Sequence, residues 1–420
     1  MVCAFPNHSI IPSSGKPFKN PSVRYVGDTA LVNGYVRCLA GIGVNAVIVD
    51  WARTPFHRAH KGDLRTVRPD DLAKQVITGL MDRNEIDPID FDDLILGCAY
   101  PEAEQGYNLG RLVASLSGFP ESVAGMTINR LCGSSMHAIL SAASSIESGW
   151  GDCFMCAGVE SMSRVKRRGY NWSPNPALKI RWPQAYIDMG VTAENVAEKW
   201  SIDRIEQEEF ALQSHLKSSQ AAEQGNFNDE IIEIETNSGT CSSDGCIRAE
   251  TTLEAMSKLS PVFSENGTVT AATSSPLTDG ASALIVCSED YANSNGLKPL
   301  ARIVSGSVTG CKPELMGIGP VSATSKLMEN IGWRLDSVDV IELNEAFSSQ
   351  SLAVISELGF NPERINIDGG AISIGHPLGA SGARITGKAA SILNRTGSSR
   401  AIATMCIGGG MGMALALEKP

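Results

Sequence analysis

Ile89-Asp90-Phe91-Asp92-Asp93-Leu94-Ile95-Leu96 returns in the second half of the chain as Leu335-Asp336-Ser337-Val338-Asp339-Val340-Ile341-Glu342. In each copy an acidic turn runs into a short apolar segment, the pattern of a buried strand. The segments downstream of the two copies also match. After the first come the loop Cys132-Gly133-Ser134-Ser135, a small-residue helix and the strand end Cys156-Ala157-Gly158. After the second come His376-Pro377-Leu378-Gly379, a helix through Leu393, and Cys406-Ile407-Gly408. Chance likeness between apolar strands does not explain three matched features in one order, so the chain reads as two repeated halves. A pseudo-twofold axis between them brings equivalent loops to one place.

The elements around the repeat fit. Ala46 to Asp50 opens as a buried strand that Arg53-Thr54-Pro55 breaks. Asp70 to Arg83 carries Leu72, Val76, Ile77 and Leu80 on one helical face. Met136 to Glu147 is a helix and Phe154 to Gly158 a strand. This alternation predicts an α/β fold with mostly parallel sheets covered on both faces.

A chain of 420 residues holds two or three domains and needs no disulfide or metal staple. Apolar residues at 43% and charged residues at 19% are ordinary for a globular protein. The net charge of −11 argues against a general nucleic-acid binder. No apolar run is long enough to span a membrane. Residues 1–44 stand apart: Lys16, Lys19, Arg24 and Arg37 face Asp28 alone. They are either a targeting segment or a disordered extension. The 11 cysteines, an odd and scattered number, favour a reducing compartment. Cys153 and Cys156 have redox or zinc spacing, but lie in a strand that points them to opposite faces. His57 and His60 read as loop histidines without partner ligands. No metal site is expected.

Residues 161–275 differ from both halves. An irregular, Trp- and Pro-containing loop leads to a long helix starting near Asp203, with Glu206 completing a capping box, and ending near Gly225. Arg164, Lys166, Arg167, Arg168, Lys179 and Arg181 precede the first acid, Asp188. That run is a local anion site or a solvated loop.

Four residues stand out for chemistry. Cys132 sits at a predicted helix start, where the dipole favours the thiolate nucleophile. His376 is held in a glycine-rich turn beside Pro377, placed to act as a base. Cys406 precedes Gly408-Gly409-Gly410, whose bare amides can approach an oxyanion. Asn344 lies in Asn344-Glu345-Ala346-Phe347. A Cys and a His on equivalent loops, with a second Cys beside bare amides, form a stronger signal than any one alone.

From about Ala46 to the C-terminus the sequence resembles the thiolases, most closely the 3-ketoacyl-CoA thiolases of fatty-acid β-oxidation. The likeness rests on Asn129 to Met136, Asn344 to Phe347, Gly369 to Gly382 and Cys406 to Gly412, in family order. It implies a five-layered αβαβα thiolase fold. The implied domains are an N-terminal half (45–160 and 276–300), an inserted CoA-binding loop domain (161–275) and a C-terminal half (301–420). It also implies ping-pong thiolysis through an acyl-enzyme on Cys132, with His376 as its base and Cys406 as the second acid/base. One oxyanion hole would use His376 and a water held by Asn344, the other the amides of Cys132 and Gly408. CoA is then a co-substrate, with no permanently bound cofactor. The family match offers Arg248 for the adenine, Ser275 for the pantetheine, and Met189, Phe263, Ala346 and Phe347 as tunnel wall. Lys166, Arg167 and Arg168 become candidates for the CoA phosphates.

Ser135 stands where many thiolases have Gly, a departure shared with degradative members. The short insertion implies a homodimer, with a hydratase/dehydrogenase subunit as a further partner. The implied location is cytoplasmic, or mitochondrial or peroxisomal if residues 1–44 are a targeting segment. Two alternatives accompany this reading: an acetyl-CoA C-acetyltransferase confined to four-carbon substrate, and a catalytically silent lipid carrier. Intact Cys132, Asn344, His376 and Cys406 oppose the second.

Overall fold

The repeat is visible in the chain order of a computed structural model that describes residues 44–420. The first half runs β1 (Ala46–Arg53), α1 (Pro69–Asp82), β2 (Asp93–Gly97), α2 (Leu109–Leu116), β3 (Ala124–Ile128), α3 (Ser134–Glu147) and β4 (Cys153–Ser161). An insertion carrying α4 (Met189–Lys199) and α5 (Arg204–Glu223) precedes β5 (Thr278–Ser288), which closes that half. The second half repeats the order as β6 (Ala301–Gly310), α6 (Gly319–Ile331), β7 (Val340–Leu343), α7 (Ser348–Leu358), α8 (Leu378–Thr396), β8 (Arg400–Ile407) and β9 (Met411–Glu418). The reading of residues 1–44 as an extension falls outside the described residues, apart from Val44.

Local chemistry explains the elements. Pro69 opens α1 with a preset φ, Asp70 and Asp71 oppose the helix dipole, and Leu72, Val76, Ile77 and Leu80 are fully buried. The capping box at Asp203 and Glu206 is formed and starts α5. In β4, Cys153 joins the core on one face and Cys156 the core on the other.

The first half-sheet has the order β3-β2-β4-β5-β1, and the second β7-β8-β9-β6. Where the first has β3, the second has a single parallel bridge, Ile341 to Ile365. The half-sheets join edge to edge through three antiparallel pairs of β1 and β6, from Ala46↔Ile303 to Ile48↔Ala301. Five layers result. α1 and α2 cover one face of the first half-sheet. α3 and α8 lie between the half-sheets, with Met136, Ile139 and Ile385 packed among Ile95, Met405 and Leu415. α6 and α7 cover the far face of the second. The central helices touch through small residues: a Cβ on Gly382 would lie 2.4 Å from the Met136 amide.

The expectation of mostly parallel sheets is corrected. Only β2–β3, β2–β4 and β7–β8 pair in parallel, apart from isolated bridges, while β5, β9, β1 and β6 pair antiparallel. Strands buried on both faces read alike in either direction. The three-residue link between β8 and β9 permits only a hairpin, and Gly409 and Gly410 turn it at φ of 81° and 83°.

Candidate active site

His376 owes its position to the turn before α8. Gly375 has φ 115°, and a Cβ there would press on Thr278 at 2.8 Å, so only glycine fits. The His376 amide donates to Thr278 Oγ1 at 3.0 Å. Ser381 Oγ donates to the Pro377 carbonyl at 3.0 Å, so at 2.6 Å it accepts from His376 Nδ1–H. That contact fixes the tautomer and leaves Nε2 bare. Burial, reinforced by the charge of Arg384, pushes the imidazole pKa down to about 3, so the ring is neutral.

Cys132 sits just before α3 in a loop tied down by its own side chains. Asn129 Oδ1 accepts from the Leu131 amide at 2.8 Å, and Asn129 Nδ2 donates to Ala99 O at 3.0 Å. Ser134 Oγ accepts from the Arg130 amide and donates to Leu131 O. Leu131 is held at φ 46°, an uncommon conformation for a branched residue and a sign of a constrained loop. The expected depression of the thiol pKa is corrected. Burial pushes Cys132 up to about 11, although the amides of Gly408 and Cys132 itself pull it down. The resting group is a thiol. The helix proper begins at Ser134, two residues on, so its amides do not outweigh lost hydration. Ser135 Oγ accepts from the Ala383 amide at 2.8 Å, which ties α3 to α8.

Cys406 and Gly408 come from the end of β8 and its turn. Cys406 is buried, its thiol pKa raised by burial and by proximity to Cys132. Asn344 follows β7 and is fully buried. Its Nδ2 lies 3.4 Å from His376 Nε2, and its Oδ1 has no protein donor. Cys132, His376, Cys406 and Gly408 all line one cavity of about 310 Å³.

Of the residues expected to bind CoA, Met189, Ser275, Ala346 and Phe347 line this cavity. Ser275 is fixed through both its amide and Oγ on Ala346 O, each at 3.0 Å. Phe263 stands behind the wall, edge-on to Phe347 at 6.0 Å. Arg248 lines an adjoining pocket with Arg58, and Pro276 borders both spaces. The basic loop is less free than its composition suggests: Arg164 pairs with Glu104 and Arg167 with Asp188. Arg167 and Arg168 line the Cys132 cavity, not the Arg248 pocket.

Sequence reasoning missed Glu160. Its carboxylate is buried at the end of β4 and accepts the amides of Ala99 at 2.9 Å and Gly379 at 3.0 Å, joining a loop of the first half to the first turn of α8 in the second. Burial pushes its pKa up to about 7. An acid ending a wholly apolar strand was the available signal. The reading of His57 as a loop residue is corrected: it lies in a two-residue strand paired to β5 and is buried. Near Asp63 and Cys241 it forms the one His/Cys/Asp cluster of metal-ligating size among the described residues. Its Nδ1 accepts from the Asp63 amide at 3.1 Å, so Nε2 keeps its proton, which Ser243 O accepts at 2.9 Å. That ring is a clip between segments, with no lone pair turned to a cation.

Residues 46–290 match the thiolase N-terminal domain and residues 297–419 the thiolase C-terminal domain. The chain belongs to the thiolase family. Among similar thiolases, the 3-ketoacyl-CoA thiolase of Saccharophagus degradans is 44% identical over 385 residues, covering 89% of this chain and 98% of its own length. That of Bacillus subtilis is 42% identical over 386 residues, 89% of this chain and 99% of its own. Human mitochondrial 3-ketoacyl-CoA thiolase in complex with CoA superposes with a TM-score of 0.83 at 37% identity, covering 90% of this chain and 98% of that one. The acetyl-CoA acetyltransferase of Bacillus anthracis gives 0.82 at 39%, covering 89% and 98%. No helix among the described residues is long and apolar enough to cross a membrane.

Proposed function

We propose that this thiolase cleaves 3-ketoacyl-CoA with CoA, giving acetyl-CoA and an acyl-CoA two carbons shorter. One observation carries the reading: loops of both halves bring two thiols, a bare imidazole nitrogen and the Gly408 amide to one largely apolar cavity.

Each group has a task its environment suits. Cys132 Sγ attacks the keto carbon while His376 Nε2 takes its proton. A preformed thiolate is not needed, because proton and sulfur move together. Once protonated, Nε2 becomes a donor and stabilises the enolate oxygen of departing acetyl-CoA. Asn344 Oδ1, a buried acceptor without a protein donor, supports a bridging water beside it. Cys406 gives its proton to the enolate carbon. The acyl group remains on Cys132, its carbonyl oxygen towards the Cys132 and Gly408 amides, which stabilise the oxyanion when CoA attacks. Cys406 then takes the proton of incoming CoA, whose sulfur attacks the acyl carbon and displaces Cys132 Sγ, which recovers its proton from His376 Nε2. Ser275, Met189, Ala346 and Phe347 would hold the pantetheine arm, and Arg248 the adenine.

A homodimer is the supported assembly. β3 ends the first half-sheet with an open edge, is only partly buried, and exposes Met126.

The test compares thiolysis of acetoacetyl-CoA with that of 3-ketohexadecanoyl-CoA. Turnover of the longer substrate is expected. Activity confined to the four-carbon substrate would select the acetyltransferase reading, which the Bacillus anthracis likeness keeps in view.

A further inference from the structure

Two arginines in the wall of the largely apolar cavity that holds Cys132 need an explanation. Arg167 and Arg168 both face the single carboxylate of Asp188, the second at 3.8 Å. One carboxylate leaves this pair with a net positive charge. Arg168 is also held in orientation: it lies over the Trp172 ring at 5.1 Å and donates to Tyr186 O at 3.2 Å. Trp172 in turn packs edge-on against Tyr186 at 5.6 Å. A guanidinium fixed in this way is ready for two-point contact with a planar anion.

Its place in the cavity narrows the anion. Tyr100, Cys132, Arg167 and Arg168 line the same cavity. The arginines therefore belong to the surroundings of the nucleophile. The CoA nucleotide has another pair of cations, since Arg58 and Arg248 line the adjoining pocket that excludes Arg167 and Arg168. The remaining charged end of a substrate is the far end of its acyl chain.

We propose that this cavity accepts 3-ketoacyl-CoA whose chain ends in a carboxylate, with Arg168 and Arg167 binding that terminal group. The inference deepens the thiolase reading and rests on it. The chemistry is unchanged: CoA enters, acetyl-CoA leaves, and the product is a carboxylate-ended acyl-CoA two carbons shorter. The terminal carboxylate takes no part in bond making. It adds a second carboxylate beside the pair, which a methyl-ended chain of equal length cannot do.

The experiment uses the full chain with two 3-ketoacyl-CoA substrates of ten carbons, one ending in methyl and one in carboxylate. Acetoacetyl-CoA, a four-carbon substrate that ends in methyl, reports separately on thiolase activity. The carboxylate-ended substrate is expected to show kcat/KM higher by roughly tenfold or more. Arg167→Met/Arg168→Met should reverse that ratio, and Arg167→Lys/Arg168→Lys should restore part of it. The readout is a ratio, so a general loss of activity does not disguise it. A wild-type preference for the methyl-ended chain would overturn the proposal. So would a methionine variant that keeps the preference while the KM for CoA rises, because the arginines would then serve the CoA phosphates. Failure with acetoacetyl-CoA as well as both long substrates would remove the thiolase reading and this inference with it.

Discussion

Alkylation of Cys132 as a function of pH tests the central claim about the site. Cys132 lies before a helix and beside two amides, features that usually yield a reactive thiolate. Burial outweighs them and sets the pKa at about 11. His376, at about 3 and neutral, is far too weak a base to hold the proton at rest. No ion pair forms between them. At pH 7 the thiolate fraction is then about one in ten thousand, and at pH 9 about one in a hundred. The second-order rate of iodoacetamide labelling should rise roughly a hundredfold across that interval. Mass spectrometry of the Cys132 peptide reads the rate directly, with Cys132→Ser as the blank. A rate already level above pH 7 would refute the argument, since it would demonstrate a preformed thiolate. Catalysis would then not depend on proton transfer to Nε2 during attack.

Other contacts yield three more expected outcomes. Ser381→Ala removes the acceptor that fixes the His376 tautomer, so acyl-enzyme formation should slow by roughly tenfold to a hundredfold in single-turnover measurements, with KM for CoA little changed. Arg384→Met takes the partner from Glu342, a buried carboxyl whose pKa burial already pushes up to about 8, and should lower stability to urea by about 1–3 kcal/mol. Adding Glu342→Gln should recover much of that, and no recovery would mean that the loss comes from packing. His215 is buried with its pKa pushed down to about 4, chiefly by burial. The unfolded chain binds that proton below about pH 6.5, so stability should fall as pH drops from there towards 4, by up to about 3 kcal/mol. His215→Gln retains an acceptor for the Arg248 amide and should flatten this limb of the pH–stability curve.

The legible parts were those with local causes. Pro69 and the acids after it, the capping box at Asp203, and the glycines around His376 and Cys406 each act within a few residues. The repeat was legible because an acidic turn before an apolar strand survives divergence in type if not in letter. Strand direction was not, since β5 and β9 are as uniformly buried as β4. Glu160 was missed because its partners, Ala99 and Gly379, lie 61 and 219 residues away. The basic loop misled because charge was counted along the chain, while Glu104 neutralises Arg164 from 60 residues away.

Residue type and spacing were enough to establish the two halves, the candidate nucleophile and base, and the family, because the chain carries those features directly. Protonation states came only with folding. Burial raised Cys132 and lowered His376, and both effects oppose the charged form, as loss of hydration must. Folding also settled which arginines line the Cys132 cavity and which line the adjoining pocket. Both are questions of what lies within a few ångströms, and the fold brings together residues that the sequence places hundreds of positions apart.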